Sequence, residues 1–201
     1  MKVIGLTGGI GTGKSTVSEY LQQKGCFIID ADRISRQMTE SGSPALEELR
    51  DAFGDEYFKE DGSLDRARLA ALVFAHEDKR RKLEDIITRR VVETIRETVL
   101  ICKTKTPEKL VIIDAPLLFE CGLDACADES WLVCAPLEAR LKRVEKRDHL
   151  PREQILARIK SQMPEDEARR RCSLVLDNSA GRSELLAQIE RELERIRNEI
   201  R

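Results

Sequence analysis

Short unbroken apolar runs alternate along the chain with longer stretches in which apolar positions return every three or four residues. Lys2-Val3-Ile4-Gly5-Leu6-Thr7, Cys26-Phe27-Ile28-Ile29, Leu110-Val111-Ile112-Ile113, Trp131-Leu132-Val133-Cys134-Ala135 and Cys172-Ser173-Leu174-Val175-Leu176 are of the first kind. Each is too short for a helix and lacks polar alternation, so each predicts a strand buried on both faces. Helical periodicity lies between and after them, in Val17, Tyr20 and Leu21, in Leu83, Ile87, Val91, Ile95 and Val99, and in Leu185, Leu186, Ile189, Leu193, Ile196 and Ile200. Strands separated by helices predict an α/β fold with a five-stranded parallel sheet flanked by helices.

Two stretches interrupt that alternation. Between residues 35 and 106 the pattern is helical only, with Pro44-Ala45-Leu46 opening one helix, a turn at Asp61-Gly62, and Asp65 placed to cap the next. This predicts one domain with its core at 1–34 and 107–201 and a helical insertion at about 35–106, suited to hold an acceptor beside the sheet. Residues 137–164, with Pro151-Arg152-Glu153 opening a helix and a break at Met163-Pro164, predict a helical lid within the core span.

The first strand runs into Gly8-Gly9-Ile10-Gly11-Thr12-Gly13-Lys14-Ser15-Thr16, which matches G-x-x-x-x-G-K-[ST]. Glycines let backbone N–H groups close around phosphate oxygens without a Cβ in the way. Gly8, Gly9, Gly11, Thr12, Gly13 and Thr16 thus predict a nucleoside triphosphate cradle. Lys14 would place its charge on the β- and γ-phosphates, Ser15 Oγ would ligate Mg²⁺, and the helix opening at Lys14 adds its positive dipole end.

Carboxylates stand at two further strand ends. Asp30-Ala31-Asp32 follows the second apolar run, where one aspartate can cap a helix and the other, Asp32 foremost, can serve the site. Asp114 ends Leu110-Val111-Ile112-Ile113 in Walker-B form and is placed to hold Mg²⁺ opposite Ser15. The run Pro116, Leu117, Leu118, Phe119 and Glu120 then predicts an apolar loop facing the crevice. Arg140, Arg143 and Arg147 share one helix stripe, within reach of triphosphate oxygens, and Arg158 and Gln162 stand four apart in the lid.

Composition narrows this picture without redirecting it. In 201 residues, 35 Lys and Arg against 37 Asp and Glu leave a net charge of −2, which offers no global basic field for nucleic acid. Six cysteines form no C-x-x-C pair, which argues against zinc and redox motifs. No apolar run approaches the ~20 residues needed to span a bilayer, and a cytoplasmic protein with free thiols is expected.

Taken in order, these motifs resemble the dephospho-CoA kinase family along nearly the whole chain. The resemblance is carried by Gly8 to Thr16, Ile29-Asp30-Ala31-Asp32, Gly62-Ser63-Leu64-Asp65, Asp114-Ala115-Pro116-Leu117-Leu118-Phe119-Glu120, Arg143 to Arg147-Asp148, Arg158 with Gln162, and Asp177-Asn178. It implies a P-loop NTPase fold and transfer of the ATP γ-phosphoryl group to the ribose 3′-hydroxyl of dephospho-CoA, with Mg²⁺ as cofactor. By the same resemblance Asp32 is the base or orienting group, with Lys14, Arg143 and Arg147 neutralising the transferred group. Pro116, Leu117, Leu118, Phe119, Glu120, Arg158 and Gln162 would hold dephospho-CoA, and Asn178 would lie against adenine. The chain departs from the family at Thr88-Arg89, where His-Pro is usual, and at Arg140, where Gln is expected. Another small-molecule P-loop kinase, such as a nucleoside monophosphate kinase, is the alternative, whereas a GTP switch would need an N-K-x-D motif that the sequence lacks.

Overall fold

The computed structural model describes residues 1–200, the last by its backbone alone, so the place of Ile200 in the final apolar stripe lies outside the described residues. Five strands, β1 (Lys2–Thr7), β2 (Phe27–Asp30), β3 (Leu110–Asp114), β4 (Glu129–Cys134) and β5 (Leu174–Asp177), form one sheet. Their order is β2-β3-β1-β4-β5. Central β1 pairs in parallel with β3, Ile4 opposite Ile112, and with β4, Leu6 opposite Trp131. Its Val3 to Thr7 are all buried, as a strand covered on both faces requires. Ile4, Leu6, Ile112 and Trp131 share a core with Val17 and Leu21 of α1 (Lys14–Gln23) and with Leu185, Ile189, Leu193 and Ile196 of α9 (Arg182–Ile200).

The second apolar run is not the fully buried strand its composition suggests. β2 is an edge strand, and Phe27 is 40% exposed. A strand with a neighbour on one side only can be apolar without being covered on both faces. From β1 the chain goes to the β2 edge, and from β3 it crosses to the β4 side. The loops after these two neighbouring strands therefore part, which puts a ligand crevice at their carboxyl ends.

Residues 1–29 and those from 101 onward form one compact unit, and residues 30–100 form a second. The second holds α2 (Ala31–Gln37), α3 (Ala45–Phe53), α4 (Arg66–Ala75) and most of α5 (Glu77–Lys105) around Leu46, Leu49, Leu64, Leu69 and Ile86. Asp65 caps α4 by accepting from the Arg68 N–H at 3.1 Å. α5 runs unbroken through Thr88-Arg89, and both Arg89 and Arg90 pair with Glu48 of α3.

In the first unit α6 (Leu137–Asp148) and α7 (Arg152–Lys160) bury Leu141, Val144 and Ile155 together, with Ile10 of the glycine-rich loop packed against them. A further helix, α8 (Glu165–Arg171), follows where the sequence pattern showed only a break. Pro164 precedes it, and a proline there costs no helical hydrogen bond because the first N–H groups of a helix have no partner within it.

Glu129 ties the two ends of this unit together. Burial alone would raise its carboxyl, but hydrogen bonds from Arg195, Lys2 and the Trp131 indole outweigh burial and hold it down at about 2. A depressed carboxyl contributes its full stability above its ordinary value of 4.5 and loses it as pH falls toward about 2. Glu129→Gln is therefore expected to cost about 2 kcal/mol at pH 7 and progressively less below pH ~4.5. Urea unfolding across pH 3 to 7 checks this; parallel stability curves for both proteins would count against it.

Candidate active site

The glycine-rich loop leaves β1 and ends in the first turn of α1, so its geometry follows from where that turn can start. Gly13 has φ +100 and Gly11 φ +78, in the left-handed region that favours glycine. Space is closed as well: a Cβ on Gly11 would sit 2.7 Å from the Arg140 carbonyl, and one on Gly13 would collide with the Asn178 amide.

The loop's carbonyls are held by one of its own side chains and by three that are remote in sequence. Thr12 Oγ1 donates to Gly9 O at 2.8 Å and Arg140 Nε to Ile10 O at 2.9 Å. Arg143 Nη1 donates to Gly11 O at 3.2 Å and Thr12 O at 3.3 Å, while Asn178 Nδ2 donates to Thr12 O at 2.8 Å. In a trans peptide the N–H points opposite the C=O, so fixing the Ile10 and Thr12 carbonyls outward aims the Gly11 and Gly13 N–H groups the other way. The result is a concave set of donors backed by two guanidinium groups, arranged for an anion.

Lys14 forms an ion pair with Asp114 at the end of β3, and their side chains are only 15% and 10% exposed. Ser15 is exposed on the same first turn of α1. The exit from β3 is pinned to the exit from β1, Ala115 N donating to Leu6 O at 3.0 Å and Thr7 Oγ1 to Pro116 O at 3.1 Å.

The other predicted residues divide by environment. Asp30 is the cap of α2, accepting from the Arg33 N–H at 2.9 Å, which leaves Asp32 exposed in the helix's first turn. Leu118 is fully buried over Gly5, and Phe119 is buried beneath the Arg171 guanidinium, so Leu117 and Glu120 are the exposed members of the loop expected to face the crevice. Arg147 is occupied by Asp148, its neighbour in sequence, and Arg158 is exposed. Gln162 Oε1 accepts from the Ile10 N–H at 3.1 Å.

Sequence spacing showed Arg140 and Arg143 on one face but not that both bind loop carbonyls, nor that the Asn178 side chain does so. Burial lowers the Arg140 guanidinium from its ordinary value, opposed by Glu165 at 3.8 Å. Burial pushes the Cys134 thiol at the end of β4 up to about 12, away from the reactive thiolate. The chemistry on offer is charge stabilisation by Lys14 and the loop N–H groups.

Comparison with known proteins identifies the family. The profile of the dephospho-CoA kinase family matches residues 2–184. A protein of Carboxydothermus hydrogenoformans named dephospho-CoA kinase is 42% identical over 181 residues, covering 89% of this chain and 86% of its own. The crystal structure of TT1252 from Thermus thermophilus superposes with a TM-score of 0.78 at 38% identity, over 100% of this chain and 98% of that one. Dephospho-CoA kinase from Campylobacter jejuni shares the fold at a TM-score of 0.72 and 24% identity, over 96% of each chain. With the match running through the glycine-rich loop, α6 to α8 and the last strand alike, the chain belongs to the dephospho-CoA kinase family.

Proposed function

We propose that this chain transfers the γ-phosphoryl group of ATP to the ribose 3′-hydroxyl of dephospho-CoA, giving coenzyme A and ADP. The observation that carries the reading is the glycine-rich loop, its carbonyls clamped outward and Lys14 standing at its mouth, in a chain of this family. Gly8, Gly9, Gly11, Thr12, Gly13, Ser15 and Thr16 cradle the triphosphate, and Lys14 leaves Asp114 for the β- and γ-oxygens. Arg143 and Arg147 add charge as the lid at 137–164 closes and excludes water. Asp32 orients the 3′-hydroxyl and accepts its proton. The 116–120 loop holds dephospho-CoA, Leu117 and Glu120 offering its exposed surface, and Arg158 and Gln162 complete the acceptor side. Asn178 holds the donor loop below the adenine.

Ser15 and Asp114 suit Mg²⁺ by donor type, since a hydroxyl and a carboxylate are hard oxygen ligands and this ion keeps waters and shares substrate phosphates. Among the described residues no group of three or more His, Cys, Asp or Glu is placed to hold a metal, so a site completed by phosphates fits the donors present. When bound, Mg²⁺ would neutralise charge on the β- and γ-phosphates. Among the described residues no helix is long and apolar enough to cross a membrane. We read the protein as a cytoplasmic enzyme acting on a small molecule, without nucleic acid as a partner.

Incubation with ATP, Mg²⁺ and dephospho-CoA, followed by mass analysis, should show one phosphate added to the acceptor. Inert dephospho-CoA alongside phosphorylated AMP, CMP or shikimate would overturn the reading. Gly13→Ala, forced from φ +100 and into Asn178, is expected to lower stability by about 1–3 kcal/mol and raise the KM for ATP at least tenfold. Calorimetry and steady-state kinetics check both; a wild-type KM would deny the loop its close fit.

A further inference from the structure

The break between α7 and α8 touches two loops at once. Gln162 Oε1 accepts the Ile10 N–H of the glycine-rich loop at 3.1 Å, and the N–H of the next residue, Met163, donates to Glu120 Oε1 of the 116–120 loop at 3.1 Å. That second N–H belongs to the peptide joining Gln162 to Met163. Pro164 follows and restricts Met163 to extended backbone, so the joint is stiff where both contacts are made. On its other side Ile10 is gripped by Arg140 through its carbonyl, and its side chain packs into the α6–α7 cluster. A cavity of about 130 Å³ lies between Gly8, Gly9, Pro116, Glu120, Gln162 and Met163, leaving room for the loops to shift when ligands enter.

We infer that the Gln162-Met163 joint couples the donor loop to the acceptor loop, so that each substrate tightens binding of the other. Gln162 and Glu120 act as positioning residues, because their side-chain oxygens hold backbone N–H groups. This rests on the proposed assignment of the glycine-rich loop to ATP and the 116–120 loop to dephospho-CoA. A nucleotide that draws the Ile10 peptide into place moves Gln162, and the shared peptide carries that movement to Glu120. The coupling is reciprocal, as any binding linkage must be.

Titration of dephospho-CoA with and without a non-hydrolysable ATP analogue and Mg²⁺ reads the coupling directly. In the wild-type protein the analogue is expected to tighten dephospho-CoA about tenfold. Gln162→Met keeps the volume and removes the acceptor, and should bring that factor to within about twofold of one. Glu120→Leu should do the same, and the double variant should lose nothing more, as for two links of one chain. Glu120→Gln retains an oxygen for the Met163 N–H and should keep the coupling. A role limited to stability would lower the unfolding temperature and leave the coupling factor alone. The inference is overturned by coupling of wild-type size in Gln162→Met, by its absence in the wild-type protein, or by its loss in Glu120→Gln. Failure of the wild-type protein to phosphorylate dephospho-CoA overturns the acceptor assignment instead, and a turnover assay of the same sample separates the two.

Discussion

Asp32→Asn is expected to lower kcat with dephospho-CoA by about 10³-fold while the Kd for an ATP analogue stays within about twofold. The structure separates the two carboxylates at the end of β2: Asp30 caps α2 through the Arg33 N–H, and Asp32 stands exposed within the helix's first turn. Asparagine keeps the size and the helical position and removes the charge that would orient and deprotonate the hydroxyl. A carboxylate in a first helical turn also favours the helix by about 0.3–1 kcal/mol, too little to account for a thousandfold loss of turnover. Asp30→Asn is the matched comparison, because asparagine caps as well as aspartate and the variant should turn over at close to the wild-type rate. Steady-state kinetics of both variants with equilibrium binding of the analogue distinguish the roles. Wild-type kcat in Asp32→Asn would remove Asp32 from the mechanism.

How far such roles could be read from the sequence depended on whether the residue acts locally. β1 and β3 were legible to the residue, since their apolar runs are buried on both faces and end where the chemistry begins. The same kind of run at Phe27 misled about burial because nothing local distinguishes an edge strand from a central one. Asp65 announced its cap three residues ahead. Asn178, by contrast, finds its partner at Thr12, 166 residues away, and the Arg143 stripe revealed a helix face but not that loop carbonyls would meet it. At Thr88-Arg89 the departure from the family was visible in the sequence, while its consequence, an unbroken α5 paired with Glu48 of α3, required the fold.

Lys14 combines a local and a remote role, and Lys14→Met should show both. Loss of its charge from the phosphate cradle is expected to lower kcat/KM for ATP by about 10³-fold, the scale for removing one preorganised electrostatic contact. Without nucleotide the effect falls on Asp114, which is 8% exposed and has Lys14 as its ion-pair partner. Removing one partner strands the other charge in a poorly solvated place, so Lys14→Met should also destabilise the ligand-free protein by about 1–3 kcal/mol. Adding Asp114→Asn takes away the stranded charge and should restore most of that stability, while activity stays low because neither the cation nor the proposed Mg²⁺ ligand returns. Urea unfolding of the four proteins of this double-mutant cycle measures the coupling. Additive losses would mean that the pair contributes nothing as a pair. The predicted non-additivity would instead mean that the resting protein holds Lys14 against Asp114 at the mouth of the loop, and that phosphate oxygens replace the carboxylate as its partner when the nucleotide binds.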